Sequence, residues 1–430
     1  MRRELLLTLH LIFIFQCLSA QGGWTICDAP VFLSRVDDIY LINGKTGYAV
    51  CGDGQIVKTT DGGSKWNKIF QDTNTYFRSV EFIDEKKGFA GGFPIRHIYK
   101  NIFLKTLDGG DTWIDLTNNL DPMARNGICG LSVADVNTIY GCGNWYMDSA
   151  YIIKSTDGGE NWQFIKMQQY ASSLIDMYFI SKDTGFVTGR SVDSLHTAII
   201  LYTTDGGNHW AIKFRNTEFE EYCWKIQRLT DRIYFASIED LMQVTPSILR
   251  STDGGMSWTK HYVNSTPYNI EGIGFIDSLK GFSGGDKLTS FESDDGGIHW
   301  TPLVLCPYMD RVFRVNENVM FATGYQIWKY DRSLNTNSPA SGNPQFINLK
   351  CYPNPSNNKL TIAFTLYRST RAMLTLYDNN SRAVQYIVNA DKPAGEYFYE
   401  LNAGNISQGI YFVLLKTHED KKLVKVLITH

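Results

Sequence analysis

Six short stretches of this chain are near-copies of one another: TTDGGSKW at 59–66, TLDGGDTW at 106–113, STDGGENW at 155–162, TTDGGNHW at 203–210, STDGGMSW at 251–258 and SDDGGIHW at 293–300. Their aspartates, Asp61, Asp108, Asp157, Asp205, Asp253 and Asp295, are spaced by 47, 49, 48, 48 and 42 residues. A period in the forties with strand-like segments in each unit is the pattern of a propeller, one four-stranded sheet per repeat. The rest of the unit repeats as well, as in RSVEFIDEKKGFAGG (78–92), SLIDMYFISKDTGFVTG (173–189) and IEGIGFIDSLKGFSGG (270–285). Each is an apolar strand, a polar turn with Asp and Gly, and a second strand ending in small residues. A variable loop, a third strand, the DGG turn and a fourth strand opened by Trp follow. A seventh unit, DRVFRVNENVMFATGYQIWKYD (310–331), supplies three strands and stops. GGWTICDA (22–29) looks like the tail of a box, with Trp24 where the repeat wants its Trp. We therefore expect an all-β fold, a seven-bladed β-propeller over 24–332 whose last blade is closed by the N-terminal strand, leaving no open sheet edge.

Turn chemistry assigns the box residues a structural part. A short hairpin must pass through positive φ, which Gly adopts without steric cost. The Asp carboxylate can accept from backbone N–H groups of its own turn, helped by the Ser or Thr two residues earlier. Trp66, Trp113, Trp162, Trp210, Trp258 and Trp300 would then bury their rings between neighbouring sheets. The competing reading, six cation sites, is poorly served by one carboxylate and two glycines, because a hard cation takes six or more oxygens.

The pattern S/T-x-D-x-G-x-x-W resembles the Asp-box, or BNR repeat, of sialidases, sortilin-type receptors, some xyloglucan hydrolases and the photosystem II assembly-factor family. The single ring and the recurring D..GF..G hairpin look most like the assembly-factor type. The resemblance implies the propeller fold far more strongly than any one function.

At the N-terminus, MRRELLLTLHLIFIFQCLSAQ carries Arg2 and Arg3, an apolar core from Leu5 to Phe15, and Leu18-Ser19-Ala20 before Gln21. This reads as a secretory signal peptide over 1–20. No other stretch is long and apolar enough to span a bilayer as a helix. The formal net charge of −3, without a basic block, argues against nucleic acid as a partner. Seven scattered cysteines remain after Cys17, and they form neither a disulfide framework nor a zinc pattern. Cys129 and Cys142 flank a hairpin turn, where they could bridge or serve as two small buried hydrophobes. No metal and no cofactor is expected.

Beyond Tyr330 the composition changes to a polar linker, 333–346. Alternating strands with turn signals then fill 347–430, which suggests a small immunoglobulin-like β-sandwich. This segment resembles the type A sorting domain of the bacterial type IX secretion system. The resemblance is carried by Tyr352-Pro353-Asn354-Pro355, by Leu376-Tyr377-Asp378 with Ser381-Arg382, by Gly409-Ile410-Tyr411, and by Lys422 and Lys425-Val426. It implies Sec export to the periplasm, passage across the outer membrane by the type IX machinery of a Bacteroidetes-type bacterium, and a secreted or surface-associated product.

In such a sheet the first and third turns share one face, so the Asp-boxes occupy that face and ligand chemistry is expected on the other. The loops there present Arg96, His97, Tyr99, Arg125, Trp145, Tyr146, Asp148, Arg190, Glu239 and Asp240. Aromatic rings beside charged groups suit a glycan or a peptide segment. A sialidase-like enzyme would instead need three arginines, a Tyr–Glu nucleophile pair and an Asp acid/base. Arg96, Arg125 and Arg190 could be that trio, but FPIR at 93–96 puts the Arg last rather than first, and no Tyr–Glu pair is assignable. A xyloglucan hydrolase of this repeat type would normally use two propellers, and this chain has one. The leading expectation is a non-catalytic binding propeller at the bacterial outer surface, the alternative a glycoside hydrolase on the same scaffold.

Overall fold

The computed structural model describes residues 23–143, 150–240, 246–263, 269–285, 290–303, 308–335, 347–366, 369–378, 382–393, 395–417 and 421–429. The expected signal peptide, Trp145, Tyr146, Asp148, Cys306, Ser381 and most of the linker lie outside them. The chain divides into two compact units, Met1–Thr336 and Asn337–His430.

In the first unit the described residues form seven four-stranded antiparallel sheets in chain order. Their inner strands are Val36–Leu41, Thr75–Phe82, Ile128–Val133, Ala171–Phe179, Glu221–Arg228, Gly272–Phe275 and Arg311–Arg314. Each inner strand touches the next, and the seventh touches the first, so the sheets follow one another around a closed ring. The seventh sheet takes its outer strand from the N-terminus: Trp24–Ile26 pairs antiparallel with Ile327–Asp331, Trp24 opposite Tyr330 and Ile26 opposite Trp328. A propeller is the all-β solution that hides the long sheet edges a linear array would leave open.

The core is distributed, one apolar cluster per interface between neighbouring sheets, and each cluster contains a tryptophan that opens or precedes an outer strand, with Trp328 as a second one in the cluster of the sixth and seventh sheets. Six come from the boxes, and Trp24 is the seventh, edge-on to Phe282 at 5.0 Å between the sixth and seventh sheets. Trp162 meets Phe103 edge-on at 4.8 Å, and Trp66 meets Phe321 at 6.1 Å. Edge-to-face geometry places the positive ring edge on the negative ring face, adding to the large area each indole buries.

Within a box the geometry is closed on itself. In STDGGENW, Ser155 Oγ donates to Asp157 Oδ1 at 2.8 Å and accepts from Gly159 N at the same distance. Asp157 Oδ1 also accepts from the backbone N–H of Glu160 and Asn161, at 3.1 and 3.0 Å. These bonds favour the ionised form and hold the exposed Asp157 carboxyl well below the usual carboxylate range. Both glycines of every box have positive φ, as at Gly158 (73°) and Gly159 (81°). A Cβ on Gly159 would come 2.4 Å from the Phe89 ring, so packing and backbone conformation both require Gly there.

Cys27, Cys51, Cys129, Cys142, Cys223 and Cys351 are free thiols; Cys129 and Cys142 are fully buried and unbridged, acting as small core residues.

The second unit pairs a three-stranded sheet (Ile347–Tyr352, Lys359–Leu366, Gly395–Asn402) with a four-stranded one in the order Ala383–Lys392, Thr370–Asp378, Gly409–Lys416, Lys421–Ile428. Both contribute to a single apolar core that includes Leu360, Phe364, Leu374, Val413 and Ile428. Asn354 clasps the last strand: its Nδ2 donates to the Lys425 carbonyl at 2.8 Å and its Oδ1 accepts from Leu427 N at 2.9 Å. Tyr411 Oη donates to the Ser407 carbonyl at 2.8 Å. Two of the sorting-motif residues thus fasten loops to strands.

Candidate functional site

The ring axis is charged. Asp37, Asp38, Arg78, Asp176 and Lys225 within the inner strands, and Glu271 and Asp310 one residue ahead of theirs, are all buried, and Arg35 and Arg311 are nearly so. Five of the seven inner strands are irregular at this level, four of them where these residues fall: pairing with the second strand shifts at Val36/Asp38, Phe77/Ser79, Leu174/Asp176 and Cys223/Ile226, and also at Ile128/Gly130, where Cys129 is the extra residue. An extra residue in one strand re-aims its side chain. The shift lets Asp37, Arg78 and Trp224 reach the axis instead of alternating away from it.

Two ion-pair groups result. Toward the start of the inner strands, Arg35 meets Asp37 at 3.0 Å, Glu271 at 2.5 Å and Asp310 at 3.5 Å, while Arg78 pairs with Asp37. The Arg78 guanidinium also covers the Trp224 ring at 4.6 Å from its centroid, and Arg35 Nε donates to Tyr76 Oη at 3.1 Å. Deeper along the axis, Arg311 bridges Asp38 at 3.1 Å and Asp176 at 2.8 Å. Burial, with Glu271 and Asp37 near by, raises the Asp310 carboxyl well above its ordinary value. At Asp176 burial works in the same direction, but Arg311, Lys225 and the Ile226 N–H outweigh it and hold the carboxyl low.

A second pattern links the sheets. Asp38 Oδ2 accepts from Val80 N at 3.1 Å, Glu81 Oε2 from Val133 N at 3.0 Å, and Ser132 Oγ from Phe179 N at 2.9 Å. Asp176 Oδ2 accepts from Ile226 N at 3.1 Å and Gln227 Oε1 from Phe275 N at 2.7 Å. Each acceptor sits on one inner strand and its donor on the next. An inner strand is the free edge of its sheet, with backbone N–H groups that would otherwise be buried unpaired. These side chains satisfy them and fasten the first six sheets in sequence.

The sequence-derived candidates fall in different places. Arg96 and His97 are exposed on the loop after Gly88–Pro94, both at positive φ (57° and 59°), with Tyr99 beside them. Arg125 turns back on its own loop, donating to the Leu120 and Asn118 carbonyls. Arg190 and Glu239 are linked only through intermediaries: Arg190 Nη1 donates to Tyr222 Oη at 2.9 Å and pairs with Glu220, while Glu239 accepts from the indole N–H of Trp224, whose ring lies 6.2 Å from that of Tyr222. Glu239 and Asp240 are not rim residues: both are buried in the second strand of the fifth sheet, Tyr234–Asp240. Sequence reasoning placed them one loop too far out, because it ended the strand before Ser237-Ile238.

Missed altogether were Arg35, Asp37, Arg78, Lys225, Glu271, Asp310 and Arg311. Their signal was present as charged residues at two adjacent recurring positions near the start of most inner strands, in RVDDIYLI, FRSVEFI, LIDMYFI, CWKIQRL, IEGIGFI and MDRVFRV, the third strand ICGLSV carrying none.

A cavity of about 380 Å³ lies on the axis, lined by the later halves of the inner strands, including Tyr40, Glu81, Tyr178, Arg228, Phe313 and Arg314. Those halves lead into the first turns, so the cavity is on the Asp-box side and not on the side where ligand chemistry was expected. Burial pushes the Glu81 carboxyl up to about 8, aided by Asp38 and Asp176 and opposed by the Val133 N–H and Arg311.

Residues 350–429 match the family of the secretion system C-terminal sorting domain, and residues 18–149 match that of the photosynthesis system II assembly factor YCF48. Over 150 residues the chain is 27% identical to the photosystem II assembly lipoprotein Ycf48 of Synechococcus sp. (strain CC9902), which is 34% of this chain and 40% of that relative. The chain thus spans well under half the length of the curated relative it matches. Among solved structures it is similar to YCF48 bound to D1 peptide (TM-score 0.54, 16% identity, 72% of this chain and 96% of that one). It is also similar to the GH74 xyloglucanase from Xanthomonas campestris (TM-score 0.54, 12% identity, 80% of this chain and 59% of that one). At these identities the structural likeness establishes the β-propeller fold alone. The sorting-domain match implies export and an outer-surface location.

Proposed function

We propose that the first unit is a seven-bladed propeller, 24–332, that binds a glycan or a protein segment at the bacterial outer surface without chemical turnover. In this reading a signal peptide (1–20) directs the chain to the periplasm. The segment 347–430, an immunoglobulin-like sandwich behind the 333–346 linker, hands it to the type IX machinery. Blade count rests on the seven four-stranded sheets and on the six box tryptophans and Trp24, one of these seven at each interface.

The absence of turnover rests on how the carboxylates are engaged. Glycoside hydrolysis needs two carboxyl groups free to face a scissile bond. Here Asp37 and Glu271 are held by Arg35, Glu239 by the Trp224 indole, and Asp38 and Asp176 by Arg311 and backbone N–H groups. Breaking a buried pair by removing one partner costs about 3–5 kcal/mol, so these carboxylates are better suited to holding the ring than to changing protonation state in a catalytic cycle. Arg96, His97 and Tyr99 on the face opposite the boxes supply donors and aromatic surface for the ligand, Arg190 shapes that face through its bonds to Tyr222 and Glu220, and Trp145, Tyr146 and Asp148, outside the described residues, are proposed as further contacts. The peptide named in the YCF48 structure supports a protein segment as one of the two ligand classes.

Incubating the full chain with sialosides and xyloglucan, then screening a glycan array and a surface-protein pull-down, tests this. Capture without hydrolysis, weakened by Arg96→Ala or Arg190→Ala, is expected. Turnover that disappears in Glu239→Gln would replace this reading with the hydrolase one.

A further inference from the structure

The mouth of the axis on the Asp-box side is a separate surface from the rim just described, and its chemistry is more selective. Tyr40, Tyr178 and Phe313 are among the aromatic residues that line it, with Tyr40 edge-on to Phe313 at 5.7 Å. Its volume of about 380 Å³ falls at the lower end of small-ligand sites, enough for one or two sugar rings.

The charged groups of this mouth are unequally occupied. Arg311 at the floor is committed to Asp38 and Asp176. Arg228 is paired with Asp231. Arg314 is different: its Nε donates to the Ile276 carbonyl at 2.8 Å, and no other partner is found for it among the described residues. One bond thus anchors the guanidinium at Nε, and its two terminal amino groups remain as a fork without a partner among the described residues. Such a fork matches a carboxylate bidentately, which a lysine in its place would not. The acids do not compete for it. Asp38 is taken by Arg311 and Val80 N, and Glu81 gives one oxygen to Val133 N. With its carboxyl raised to about 8, Glu81 near neutral pH holds a proton and offers a donor to the cavity.

We infer that this mouth binds a single acidic sugar residue of the uronic acid type, its carboxylate on the Arg314 fork and its ring against Tyr40, Tyr178 and Phe313. One unengaged fork matches one carboxylate charge, and the aromatic residues lining the same cavity suit the flat apolar face of a pyranose rather than a compact inorganic anion. The site stands on observations independent of the rim.

Isothermal titration of the full chain with galacturonic acid and digalacturonic acid tests the inference, with galactose as the neutral isostere and acetate as the bare carboxylate. Binding of the two uronates alone is expected, weakened about tenfold or more by Arg314→Gln, as for loss of a hydrogen-bonded charge. Arg314→Lys, which keeps the charge and the size but not the fork, should weaken binding in the same direction, and it serves if Arg314→Gln does not fold. No uronate binding, equal binding of galactose, equal binding of acetate, or unchanged affinity in a folded Arg314 variant would each overturn the site. None of these outcomes touches the rim, whose substitutions Arg96→Ala and Arg190→Ala are read against the surface ligand.

Discussion

Asp38, Glu81, Ser132, Asp176 and Gln227 share one task although they differ in charge. Each carries an acceptor from its own inner strand to a backbone N–H of the next. Polar residues inside apolar strands therefore complete the hydrogen bonding of a free sheet edge, where an unpaired donor would cost about 1–3 kcal/mol. Glu81 gives this task a pH signature. Its folded value of about 8 lies above the ~4.3 of an unfolded glutamate, so the folded chain holds an extra proton between the two. The contribution is fully present below the unfolded value, declines as pH rises through the window, and is gone above the folded value. Glu81→Gln keeps the acceptor for Val133 N and cannot ionise. Thermal unfolding between about pH 5 and pH 8 should therefore show wild type losing stability relative to Glu81→Gln as pH rises. Parallel curves for the two proteins would contradict the assignment.

At the scale of the element, a four-stranded sheet here buries little by itself; its apolar faces are covered only by its neighbours. The tryptophans mark those contacts one by one, and Trp24 shows that the count depends on the N-terminal strand. Its indole is fully buried against Phe282 and Tyr330, with ring centroids at 5.0 and 5.3 Å. Trp24→Ala should cost about 3–5 kcal/mol, the usual range for deleting a large buried aromatic. It should also expose the edge of Ile327–Asp331 to exchange, because Trp24–Ile26 is the strand that pairs with it. Chemical denaturation and amide exchange at Lys329 and Tyr330 read the two effects. A loss no greater than that of an exposed substitution would separate ring closure from stability.

For the whole molecule, the two compact units assign folding and delivery to different parts of the chain. Truncation after Thr336 should leave the unfolding midpoint of the propeller unchanged while retaining the protein in the periplasm, as read by calorimetry and cell fractionation. Asn354→Ala, which removes both side-chain bonds to the last strand, should destabilise the second unit by about 1–3 kcal/mol without moving the first transition. The period of the boxes, the positive-φ glycines and the paired YPNP and GIY signals depend on local spacing and turn chemistry, so the sequence by itself determined the repeat, the all-β class and the sorting segment. Partners hundreds of residues apart were beyond it: Arg35 with Glu271, Arg311 with Asp38, Trp24 with Tyr330. A single sequence records side chains along the chain and not across a ring, and the small inner-strand irregularities that aim Asp37 and Arg78 leave no mark on composition. Only the tertiary structure decided which charges hold the axis, and that among the described residues nothing meets the terminal donors of Arg314 while Arg228 and Arg311 are paired, because closure of the ring selects the neighbours each side chain meets.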